Sequence, residues 1–115
     1  MATRKARVDD TSVTRGSVNV FADLGFADAT ERQTKLRLAH AVVSAVAGRR
    51  LTQARAAALL GIRQPKVSAL LRYRLDGFSV ERLMDFLTAL DRDVRIVVRP
   101  KPRSRAAARI SVEAA

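Results

Sequence analysis

The sequence predicts an all-α domain of no more than five helices followed by one short C-terminal β-strand, and three observations carry that prediction. Two short helix-forming runs flank a lone glycine in residues 51–73, LTQARAAALLGIRQPKVSALLRY. Apolar residues recur at helical spacing before it, in 30–46, and after it, in 79–90. Residues 94–98, VRIVV, are β-branched apart from Arg95 and read as a strand.

The rest of the chain is organised around 51–73. Thr52 precedes strong helix formers from Gln53 to Leu60, so its hydroxyl is placed to accept from the unpaired amides of a first turn. Gly61 stops that helix, because a residue without a Cβ enters the left-handed region at no steric cost. A second helix starts near Gln64 and runs to about Arg72, with Pro65 tolerated in its first turn. Ala57, Leu60, Ile62, Val67, Leu70 and Leu71 fall at the spacings of a small core between crossing helices. Gln53, Arg55, Arg63, Gln64, Lys66, Ser68, Ala69, Arg72 and Arg74 are left outside, and that set contains no acid.

Charge reinforces the division. The formal net charge is +11, yet no acidic residue occurs between Glu31 and Asp76, an interval that coincides with the paired helices. Acids gather in 76–93 and bases return in 95–109. A polyanion would therefore meet one face, with a salt-dependent attraction from counterion release.

At 115 residues the chain holds one domain with a modest core, which dimerisation would support. With no cysteine there is no disulfide, thiolate metal site or thiol nucleophile. His40 is the one histidine, lying on the border of an apolar stripe where a structural role is expected. No nucleophile–base pair or metal cluster stands at a usable spacing, so an enzyme is not expected, nor a cofactor. There is no apolar run long enough for a bilayer and no signal-peptide pattern, so a cytoplasmic, nucleoid-associated protein is expected.

In chain order, residues 1–16 read as a disordered tail. In 17–25, Val18, Val20, Phe21 and Leu24 form an apolar segment suited to docking. Thr30 opens a helix through a capping box with Gln33, and Leu36, Ala39, Val43 and Val46 form its stripe before Gly48 ends it. Ser79 caps a fourth helix through Leu90, with Val80, Leu83, Met84, Phe86, Leu87 and Leu90 inward and Phe78 as a staple. The domain spans 17–99, and 100–115 is a basic flexible tail behind Pro100 and Pro102.

Thr52, Gln53, Ala57, Gly61, Gln64, Val67 and Ser68 resemble the helix-turn-helix of phage-repressor-like (Cro and cI type, XRE) DNA-binding proteins, with Arg63 where that family usually has a capping Ser, Thr or Asp. The resemblance implies a lambda repressor-like fold and major-groove readout by the second helix. Gln64, with a bidentate amide suited to adenine, and Lys66, a donor to guanine, are the base-contact candidates, and Arg63 suits either a base or a phosphate. Thr52, Gln53, Ser68, Arg72, Tyr73 and Arg74 suit phosphates.

The order NVFADLGF, then LTQ, LLGI, QPKVSALL and RLDGFSVERLMDFLTAL, then VRIVVRP, is similar to the HigA-like antitoxins over residues 18–102. That resemblance implies a homodimer that represses its own operon at palindromic operator DNA and neutralises a RelE/HigB-type ribonuclease toxin. The dimer interface would draw on Phe86, Leu90, Val94, Ile96 and Val98. Alternatives are a solitary phage-type XRE regulator and an interaction module that mainly inhibits an enzyme.

Overall fold

The computed structural model describes residues 26–114. The chain divides into two compact units, Met1–Arg32 and Gln33–Ala115. The described residues of the first are only the opening turns of a helix, so the fold is that of the second; the apolar segment 17–25 and the N-terminal tail lie outside the described residues. Among the described residues four helices follow in order: α1 (Phe26–Gly48), α2 (Gln53–Leu60), α3 (Gln64–Leu71) and α4 (Val80–Ala89). α2 packs on α3 and on α4.

Helix α1 corrects the sequence reading twice. It is already under way at Phe26, so Thr30 is an interior residue and not its cap. Its inward stripe is Thr34, Leu38, Ala39, Val42, Ala45 and Val46, while Leu36 is 49% exposed and Val43 only half-buried. The run LRLAHAVVSAVAG carries aliphatic residues on two overlapping stripes, so periodicity alone fits either, and the packing partner selects one.

The core combines that stripe with Ala56 and Leu60 of α2, Val67 and Leu70 of α3, Leu83, Phe86 and Leu87 of α4, and Leu75, Phe78 and Leu90 from the turns. Ala56, which the sequence reading did not assign, is fully buried, and Ala57, Ile62 and Leu71, expected in the core, pack partly buried on its edge. Ala at 56 removes side-chain bulk where α2 meets its neighbours. Phe78 meets Phe86 edge-to-face, centroids 5.8 Å apart.

All four helices stop in the same way. The residue after each last turn has positive φ: Arg50 (54°), Gly61 (69°), Tyr73 (61°) and Asp91 (62°). In each case the following amide reaches back five residues, Leu51 to the Val46 carbonyl, Ile62 to Ala57, Arg74 to Ala69 and Arg92 to Leu87. Gly48 therefore does not supply the left-handed turn of α1; Arg50 does. An L-residue there carries roughly 1 kcal/mol of conformational cost, so Arg50→Gly is expected to raise stability by about 0.5–1 kcal/mol in denaturant unfolding. An unchanged or lower midpoint would show that Arg50 is not strained.

Among the described residues no strand forms. Residues 94–98, expected as one, have no regular structure, and Ile96, Val97 and Val98 are 74%, 56% and 91% exposed. A strand exists only where a neighbour accepts and donates its backbone bonds, and no described segment does so. Beyond it the C-terminal segment turns at Pro102–Arg105, and Val112 packs against the core. No helix is long and apolar enough to cross a membrane among the described residues.

Candidate nucleic-acid interface

The site is built on how α2 and α3 begin. Thr52 is extended (φ −73°, ψ 164°) and its Oγ1 accepts from the Arg55 amide at 3.1 Å, as the sequence predicts. Gln53 then starts α2, exposed. Arg63 occupies the N-cap of α3 with extended backbone and no side-chain capping bond, which leaves its guanidinium outside. Gln64 and Pro65 follow at the first turn, both exposed.

Val67 and Leu70, both fully buried, fix which side of α3 faces the core. At about 100° per residue, the opposite side is Pro65, Ser68, Ala69 and Arg72, with Gln64 beside it at the N-terminal end. Pro65 and Arg72 are exposed, and Ser68 and Ala69 half-buried. The outward ridge of α3 thus carries an amide, a hydroxyl, two small apolar surfaces and a guanidinium, a set that matches base edges, thymine methyls and phosphate. Pro65 and Ala69 were not candidates from the sequence; counting the helical angle from Val67 and Leu70 would have found them.

Lys66 is placed differently from expectation. It lies on the flank of α3 toward α4, where its Nζ donates to the Gly77 carbonyl at 3.3 Å and sits 4.9 Å from the Phe78 ring centroid. A Cβ at position 77 would come within 2.9 Å of that Nζ, so glycine permits the approach. The ammonium ties α3 to the α3–α4 turn and does not stand on the outward ridge. Tyr73 is likewise engaged: its hydroxyl lies 3.1 Å from His40 Nδ1, joining the end of α3 to α1. His40 is itself exposed on α1. Arg72 and Arg74 are exposed on either side of Tyr73.

Among the described residues the dimer candidates separate into two groups. Phe86 and Leu90, each 2% exposed, belong to the core of the single chain and offer no surface. Val94 is half-buried, whereas Ile96 and Val98 are open. Among the described residues no cluster of His, Asp or Glu has the makings of a metal site.

A first helix capped by Thr52, a left-handed Gly61 turn and an acid-free second helix with a polar outward ridge define a helix-turn-helix DNA-binding domain. The family described as "Helix-turn-helix domain" matches residues 20–99, and the chain belongs to it. A solved structure described as "Putative XRE Family Transcriptional Regulator" is 70% identical, with a TM-score of 0.74 over 76% of this chain and 99% of that one, so the chain is a member of the XRE family of transcriptional regulators. Among curated proteins, none matches the chain.

Proposed function

We propose that the chain is a sequence-specific repressor that reads operator DNA by placing α3 in the major groove. The observation that carries this reading is the outward ridge of α3, polar and basic with no acid, capped at its N-terminal end by Arg63 and Gln64. Gln64 and Arg63 are the base-reading residues, Ser68 borders them, and Thr52, Gln53, Arg72 and Arg74 hold phosphates.

One such helix covers few base pairs, so the chain acts as a homodimer on an inverted repeat with half-sites about 34 Å apart. The exposed strip Ile96–Val98 is the surface that a second copy would cover, by pairing with its own equivalent as an antiparallel ribbon. On the resemblance over 18–102, the chain is further the antitoxin of a toxin–antitoxin pair, with a RelE/HigB-type toxin as partner. An adjacent reading frame for a small basic toxin that co-purifies with the chain supports that extension, and its absence leaves a solitary regulator.

The readout is tested by selecting duplexes from a random library on the wild-type chain, then measuring Gln64→Ala. Inverted repeats are expected, and the variant should lose about 1–3 kcal/mol of discrimination at one base position per half-site. A selection that yields no preferred sequence, or a variant with intact preference, would remove Gln64 from the mechanism.

A further inference from the structure

A second basic feature lies off the reading ridge. We propose that the hollow at the C-terminal end of α2 seats a DNA backbone phosphate, with Arg82 of α4 as a positioning contact; this rests on the groove-binding reading above. The hollow is open, about 460 Å³, and is lined by Ala57, Ala58, Gly61, Ile62, Arg63, Lys66 and Arg82. Its floor is small and apolar, and its three charged residues are all cations.

Two of those cations are held in place by aromatic rings. Lys66 Nζ stands 4.9 Å from the Phe78 centroid, the Arg82 guanidinium 5.5 Å from that of Phe86, and the two rings meet edge-to-face. Each ring of the Phe pair therefore carries a cation that also lines the hollow. Among the described residues none of the three cations is paired with a carboxylate. Like charges converging on one concavity repel one another and focus a positive potential, and an anion relieves both.

Placement favours a DNA strand over a small free anion. The hollow is too open to enclose an ion, but it includes Arg63 at the N-cap of α3 and Lys66 in its first turn. Thr52 and Gln53 stand at the opposite end of α2, whose eight residues span roughly 12 Å. That length is about the width of the major groove. Thr52 and Gln53 would meet one strand and the hollow the other, holding α3 between them. No sequence spacing links Arg82 to Arg63; the packing of α4 on α2 does.

The test compares wild type, Arg82→Gln and Arg82→Lys, as full-length chains, on a random-sequence duplex across a salt series, with thermal unfolding as a check on folding. Arg82→Gln is expected to weaken binding three- to tenfold at low salt and to flatten the slope of log K against log salt by about 0.9, one phosphate's share. Arg82→Lys should restore the slope. A wild-type slope for Arg82→Gln, or an equal loss in Arg82→Lys, overturns the proposal. So does a hollow that takes a free anion instead: pyrophosphate raising the melting temperature of wild type but not of Arg82→Gln, at matched ionic strength, with DNA slopes unchanged. Because the duplex here is random, failure of Gln64 readout would not alter these slopes, and the two ideas fail separately.

Discussion

Leu83→Ala is expected to destabilise the domain by about 3–5 kcal/mol. Leu83 is fully buried at the centre of α4, among the largest side chains in the core that have no exposure. α4 packs on α2, so a cavity there loosens the support on which the reading helix rests as well as α4 itself. A domain of this size has a total stability of order 5–15 kcal/mol, so the loss is a large fraction of it. Thermal unfolding followed by circular dichroism should show the midpoint falling by well over 10 °C. Leu36→Ala, at a position 49% exposed, serves as the contrast and should change stability by no more than about 0.5 kcal/mol. If Leu83→Ala costs under 1 kcal/mol, or the two variants lose alike, the inward stripes assigned to α1 and α4 are misplaced.

Arg72→Glu should weaken DNA binding by about 3 kcal/mol, on the order of a hundredfold, with the fold intact. Arg72 ends α3 on the outward side, opposite Val67 and Leu70, and is exposed without an ion pair among the described residues. Removing a charge-assisted contact costs about 1.5–3 kcal/mol, and a carboxylate facing phosphate adds repulsion. The loss should shrink as salt rises, since the interaction is with the backbone and screened by counterions. Anisotropy titrations on the selected duplex at two salt concentrations would decide it. An affinity within threefold of wild type at low salt would place the end of α3 outside the groove.

Much of this interface was readable from local chemistry. The Thr52 cap, the Gly61 turn and the start of α3 beside Pro65 follow from hydrogen-bonding and backbone rules that act over a few residues, and each is found where expected. The Ser79 cap of α4 is of the same kind, its Oγ accepting from the Arg82 amide at 3.0 Å. The contacts of Lys66 were not legible, because its partners, Gly77 and Phe78, lie beyond its own helix. Phe86 and Leu90 were offered to a partner because an amphipathic stripe does not say whether its own chain or another covers it.

Helix ends show the boundary most clearly. Glycine announces the left-handed turn at 61, but Arg50 and Tyr73 adopt the same conformation with nothing in their side chains to signal it, and Asp91 with only the tolerance of a short polar side chain. Local sequence settled which segments would be helical, where two of them are capped and that the reading surface would be free of acid, because those properties depend on residues within one or two turns. Tertiary packing chose which stripe of α1 faces inward, joined Lys66 to the α3–α4 turn and Tyr73 to His40, and brought Arg82 and Arg63 to one hollow, because each depends on what stands opposite once the helices meet.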